Sequence, residues 1–110
     1  MGRSAPSRRP RLTHQSLKIL KAFLEGVGDE LSGADIMRRT GLSSGTTYPI
    51  LLRFAAAGLL ESRWEKVDPS VLGRPRQRLY SVTAFGGQLG RDALRQVSLV
   101  ELDAVPSSAA

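Results

Sequence analysis

From Leu12 to Glu25 apolar residues return at helical spacing. Leu17, Leu20 and Leu24 share one face with Phe23 beside them, and Lys18, Lys21 and Glu25 fall on the other side. With Thr13 as cap and Gly26 and Gly28 as terminators, this predicts a core-forming first helix. A second, short helix is predicted over Leu31–Arg39. Ser32 followed three residues later by Asp35 resembles a capping box, and Ala34, Ile36 and Met37 are its apolar positions. Thr40-Gly41-Leu42 reads as a sharp corner, where glycine supplies the positive φ and Leu42 plugs the angle. A third helix then runs from Ser43 or Ser44 to Ala57 and stops at Gly58. Ile50, Leu51, Phe54 and Ala57 are its inward positions, with Leu52 inward in part. Pro49 lacks a donor and crowds the preceding turn, so an irregular first turn is expected, or a helix that starts near the proline.

Beyond Gly58 the period changes. Leu59–Val67 reads as a strand, Asp68–Pro75 as a loop and Arg76–Val82 as the returning strand. Two strands do not stand alone, so the hairpin must pack on the helices, with Trp64 and Tyr80 as its expected anchors. Thr83 caps a last helix over about Ala84–Leu102, whose start is weakened by Gly86, Gly87 and Gly90. Its stripe of Phe85, Leu89, Ala93, Val97 and Val100 has little left to cover within one chain. That predicts a symmetric homodimer, against the alternative that the helix folds back on the first one. The expected class is mainly α with a small β-hairpin. The expected division is a basic arm at 1–11, a three-helix and hairpin domain at 12–83, a dimerisation helix at 84–104 and a tail at 105–110.

Composition narrows the chemistry. The 110 residues are enough for one domain, and 41% apolar content supports a folded core. With no cysteine and a single histidine, His14, neither disulfides nor a thiolate or histidine-rich metal site is available. The apolar runs are too short for a membrane span, and the N-terminus lacks a signal peptide's apolar core. A cytoplasmic protein without cofactor is therefore expected.

The net charge is +6, and all but Lys18, Lys21 and Lys66 of the 16 cations are arginine. Such a balance favours a polyanionic partner, and arginine forks suit phosphates and guanine edges. The cations concentrate in the arm MGRSAPSRRPR, at Arg38 and Arg39 beside the corner, and at Arg74, Arg76 and Arg78 in the second half of the hairpin. Next to them the third helix offers Ser44, Thr46, Thr47, Tyr48 and Arg53 as outward candidates. A polar helix beside a cationic hairpin fits duplex DNA. Two other readings stand beside it: a protein-association module with a basic face, and base stacking on Trp64 and Tyr80. No paired carboxylates, phosphate loop or nucleophile–base pair marks an enzyme.

The stretches Gly45-Thr46-Thr47-Tyr48-Pro49-Ile50-Leu51, Arg53-Phe54, Gly58-Leu59-Leu60-Glu61-Ser62, Trp64-Glu65, Gly73-Arg74-Pro75-Arg76, Tyr80 and Val82-Thr83 with Gly86 together resemble the PadR family of transcriptional regulators. The layout over Leu12 to about Leu102 is similar too. The resemblance implies a winged helix-turn-helix with a C-terminal dimerisation helix. It implies a homodimeric, mostly repressing transcription factor bound to an inverted repeat. By position it puts Ser44, Thr46, Thr47 and Tyr48 on the recognition helix and Arg74, Arg76 and Arg78 on or beside the wing. Tyr48 and Thr47 are then expected at phosphates or thymine methyls, with Arg53 further in. The chain departs from the family at Ala55-Ala56-Ala57, where relatives often carry charge, and lacks room for the extra C-terminal domain of longer members. Some small relatives hold planar aromatic effectors between subunits. Here the single tryptophan, Trp64, falls in the wing, so a small-molecule effector is permitted by the sequence but not indicated by it.

Overall fold

A computed structural model describes residues 12–26 and 28–104, with side chains described as far as Val97. The N-terminal arm 1–11 and the tail from Val105 lie outside the described residues. The elements run α1 (His14–Glu25), β1 (Leu31–Ser32), α2 (Gly33–Thr40), α3 (Ser44–Ala56), β2 (Leu60–Trp64), α4 (Pro69–Leu72), β3 (Arg78–Val82) and α5 (Ala84–Ala104).

Side-chain caps fix the starts of α1, α2 and α5, whereas Ser43 at the start of α3 makes no side-chain cap bond. At α1, Thr13 Oγ1 accepts from Ser16 N–H (3.1 Å) while Thr13 N–H donates to Ser16 Oγ (2.7 Å). Two orphan donors are satisfied reciprocally there. Ser32 and Asp35 do the same at α2, at 3.1 and 3.0 Å, and the Ser32 backbone N–H holds the Asp35 carboxyl below its ordinary range. At α5, Thr83 Oγ1 accepts from Gly86 N–H (2.9 Å).

The end of α3 sets up the hairpin. Leu59 N–H reaches Phe54 O (2.9 Å) and Gly58 N–H reaches Ala55 O (3.2 Å), with Gly58 at φ 82°. This left-handed glycine turn gives the Phe54 and Ala55 carbonyls their donors and turns the chain into β2. Strands β2 and β3 pair antiparallel from Leu60↔Val82 to Trp64↔Arg78. On the other edge β3 pairs with β1 through Leu31↔Tyr80 and Ser32↔Leu79. The expected two-stranded hairpin is thus a three-stranded sheet of order β1-β3-β2. The expected loop at Asp68–Pro75 carries the short α4, which Asp68 caps through Ser70 N–H (2.9 Å) and Gly73 ends at φ 71°.

One core joins Ile19, Leu20 and Phe23 of α1, Ile36 of α2, Ile50, Leu51 and Phe54 of α3, and Leu59, Leu60 and Tyr80 around the sheet. Tyr80 anchors the hairpin as expected. Trp64 does not: it is 56% exposed. It shares a strand face with Leu60, which is buried, but lies four residues out along β2, where it lines an open crevice beside α2 and α3 that leaves it uncovered.

Candidate nucleic-acid interface

The corner between α2 and α3 closes on Gly41, in the left-handed region at φ 76°, whose N–H caps Met37 O at 2.8 Å. Thr40 Oγ1 donates to Ile36 O (2.8 Å) and accepts from Leu42 N–H (3.2 Å), and Leu42 packs against the core. The corner fixes the angle at which α3 leaves the body of the protein.

Burial along α3 has a clean helical phase. Thr47, Ile50, Leu51 and Phe54 are buried, whereas Ser44, Gly45, Tyr48, Pro49, Leu52, Arg53 and Ala56 are exposed. The helix is continuous from Ser44, with Thr46 and Thr47 N–H both returning to Ser43 O. The irregular start expected from Pro49 is therefore absent. Its place on the outward stripe explains the tolerance: the Gly45 carbonyl that loses its donor also belongs to an exposed residue, open to water or a ligand.

Thr47 corrects the sequence reading. Its side chain is fully buried, and its hydroxyl has no partner among the described residues. It is a core residue and presents nothing to a partner. Ser44, Tyr48 and Arg53 are exposed, and Thr46 is half-buried with Ser43 Oγ 3.4 Å from its hydroxyl. Tyr48 is 42% exposed and lies over Gly33 at the start of α2, so closely that a Cβ there would overlap the ring. Leu52, expected to face partly inward, is exposed on the same stripe.

The hairpin tip is built around an acid that the sequence reading overlooked. Glu65 accepts from both terminal nitrogens of Arg74 (2.7 and 3.1 Å) and from Gln77 N–H (2.9 Å), while its own N–H donates to Gln77 O (2.9 Å). These bonds, the Arg74 pair foremost, lower the Glu65 carboxyl to about 2. Arg74 is thereby paired across the hairpin. Arg76 uses Nε on Val67 O (3.1 Å), and Arg78 uses Nε on Ser62 Oγ (3.0 Å) with its guanidinium 5.3 Å from the Trp64 ring centre. Among the described residues neither Arg76 nor Arg78 meets a carboxylate. Of the three wing arginines, these two keep an uncompensated charge.

Arg38 is exposed and paired with Asp35. Arg39 donates to Ala22 O (3.3 Å) and approaches Asp29 at 4.0 Å. It lines a shallow cleft with Lys18 and Lys21, away from the outward stripe of α3, so the structure ties it to the end of α1.

The expected dimer stripe is divided. Leu89 is 5% exposed and belongs to the chain's own core, which corrects its assignment to a subunit contact. The reason lies in the glycines. A Cβ on Gly86 would collide with the Leu59 carbonyl, and one on Gly90 would press on Leu24 and Leu20. The start of α5 docks on α1 and on the α3–β2 turn through the missing side chains. Phe85 is exposed, Ala93 and Val97 are half-buried, and the Val100 side chain lies outside the described residues.

Helices α2 and α3 around a glycine corner, followed by a two-stranded ribbon, compare closely with known regulators. The structure is similar to BpsR of Bordetella bronchiseptica (TM-score 0.70, 19% identity, 90% of this chain and 66% of that one). It is similar to the PcaV transcriptional regulator of Streptomyces coelicolor (0.69, 20%, 88% and 64%). It is also similar to Bacillus subtilis PadR in complex with operator DNA (0.59, 22%, 72% and 46%). The fold is a winged helix-turn-helix. In that fold α3 takes the position of the second helix of the helix-turn-helix and the β2–β3 hairpin that of the wing. The chain spans less than two thirds of each of these three structures. A family model, the IclR helix-turn-helix domain, matches residues 15–63, from α1 to near the end of β2. No curated protein matches the sequence.

Proposed function

We propose that this protein is a DNA-binding transcriptional regulator that docks the outward stripe of α3 in the major groove and lays the wing on the flanking backbone. One observation carries the reading. Tyr48 of α3 and Arg76 and Arg78 of the wing line the same crevice, so helix and wing present a single cationic face. Such a face supplies the backbone contacts that position a protein and the side chains that can reach base edges. The helix-turn-helix match and the winged-helix neighbours support it.

The finer reading is a PadR-like repressor, bound as a homodimer to an inverted repeat. Its dimer is proposed to use Phe85, Ala93, Val97 and Val100 of α5, without Leu89. DNA contacts are assigned to Ser44, Thr46, Tyr48, Arg53, Arg76 and Arg78, with Arg38 at the flank. The neighbours extend the range of control open to such a protein: regulation of BpsR's DNA binding by 6-hydroxynicotinic acid, and PcaV's structure with its natural ligand.

Leu52 favours a second reading. An exposed leucine in the middle of the recognition helix suits a protein groove as well as a thymine methyl. Selection from a random duplex library followed by fluorescence anisotropy at two salt concentrations separates the two. The regulator reading expects an enriched sequence bound on the order of a thousandfold tighter than scrambled duplex. No enrichment and no salt-sensitive binding would leave the protein-association module.

A further inference from the structure

The outermost line of α3 is apolar. Successive residues of a helix are about 100° apart, so Gly45, Pro49, Leu52 and Ala56 fall within about 60° of one another, opposite the buried Thr47 and Phe54. All four are exposed, Leu52 at 69%. None of them has a side-chain donor or acceptor. Tyr48 and Arg53 stand on the two shoulders of this ridge, each about 70° from its crest. Arg53 makes no ion pair among the described residues. On the other side, Tyr48 is followed by Arg76 and Arg78 of the wing. The ridge is therefore apolar along its crest and flanked by cations on both sides.

That profile matches the cross-section of a DNA major groove, which has phosphates on both walls and base edges on its floor. An apolar protein groove would cover the crest but gives no use to cations on both shoulders. Most groups on the groove floor are hydrogen-bond donors and acceptors, which an apolar crest strips of water and leaves unpaired. The one apolar group there is the C5-methyl of thymine. 5-Methylcytosine carries the same methyl at the same place. We propose that Leu52, with Pro49 and Ala56 beside it, reads the C5-methyl groups of pyrimidines, so that the protein distinguishes methylated from unmethylated pyrimidines in its site.

Methyl reading rests on the DNA-binding reading and adds a rule of sequence choice to it. A crest without donors or acceptors does not sense the exchange of hydrogen-bonding groups between a T·A and a C·G pair; it senses the methyl. Burying one methyl against Leu52 changes affinity by about fourfold. Methylation of a cytosine under the crest therefore strengthens binding as a change to thymine does.

The test is fluorescence anisotropy of the full chain on the duplex selected from the random library. Each thymine is replaced in turn by deoxyuridine, which removes the methyl and keeps every hydrogen-bonding group. One or two positions are expected to lose about fourfold in affinity, and the others to change little. At a sensitive position a 5-methylcytosine·guanine pair should bind nearly as well as the thymine pair, and an unmethylated cytosine about fourfold more weakly. Leu52→Ala should flatten these differences and leave the thermal melt unchanged, because the side chain is exposed. Selective binding that is indifferent to deoxyuridine at every position would overturn methyl reading and leave the regulator reading standing. Undiminished methyl dependence in the Leu52→Ala protein would overturn the role of Leu52. If no duplex is enriched or bound, the regulator reading fails and methyl reading fails with it.

Discussion

Glu65 holds Arg74 across the wing with two hydrogen bonds, and the same carboxylate takes the Gln77 amide. An arginine that the sequence offers as a phosphate contact is therefore a structural member of the hairpin. The charge left for a polyanion comes from Arg76 and Arg78. Replacing both by alanine should lower affinity for every duplex and flatten the dependence of log K on log salt by up to about two units. Anisotropy over a salt series measures this. An unchanged slope would take the wing out of contact with DNA.

The wing tip should respond to acid in a defined window. The Glu65 carboxyl lies at about 2 in the fold, against 4.5 ordinarily. A group whose folded value is depressed contributes stability in full above its unfolded value and loses it as pH falls through the folded one. The tip should thus be equally ordered from pH 5 to pH 8 and loosen between about pH 4.5 and pH 2. The Gln77 amide and the Trp64 indole resonance report it. Loosening that begins near neutrality would mean that another group holds the hairpin.

Thr47 places a hydroxyl in the core without a partner among the described residues. Thr47→Val keeps the shape and removes the desolvated hydroxyl, so it should stabilise the fold by about 1 kcal/mol. Urea denaturation at constant m-value is the check. A destabilisation would reveal a partner, such as an ordered water, that the hydroxyl bonds.

Gly86 rests against the Leu59 carbonyl, which also accepts from Thr83 N–H (3.0 Å) and Thr83 Oγ1 (3.1 Å). The neighbour is backbone on both sides and cannot step aside. Gly86→Ala should cost about 2 kcal/mol or more by overpacking, despite alanine's better helix propensity. A thermal melt unchanged or raised by the substitution would mean that α5 does not dock there.

Gly33 and Tyr48 form a softer contact, because the atoms that a Cβ would meet are the far end of the tyrosine ring. Gly33→Ala should leave stability within about 1 kcal/mol of the original while displacing the ring. Specific DNA affinity is then expected to fall about tenfold. Equal affinity with a displaced ring would show that Tyr48 does not read the duplex.

Much of this fold can be read from local chemistry. Thr13, Ser32 with Asp35, Gly41 and Thr83 act within one turn of themselves, and their caps and corner lie where the sequence puts them. What local reading misses depends on distant partners. Strand β1 is two residues long and exists through Tyr80 and Leu79. Leu89 lies on an apolar stripe whose periodicity does not say which surface covers it; the close approach permitted by Gly86 and Gly90 decides that. Thr47 lies one turn before Ile50 and Leu51 on the face of α3 that the sequence already marks as inward, but its hydroxyl reads as polar and outward; the buried set Thr47, Ile50, Leu51 and Phe54 puts it in the core. Helix α4 is a different case. Asp68 before Pro69 and Gly73 four residues on are start and stop signals already present in the chain, masked by an expectation of loop.

The outward stripe of α3 and the wing are proposed to form one DNA face. The most direct measurement is a ¹H–¹⁵N spectrum of the full chain titrated with its selected duplex. The amides of Ser44, Gly45, Tyr48 and Arg53, together with Gln77 and Arg78, should shift or broaden together at low DNA ratios, while those of the α1–α5 contact stay still. Perturbation confined to α5 or α1, or no perturbation by any duplex at low salt, would contradict the claim.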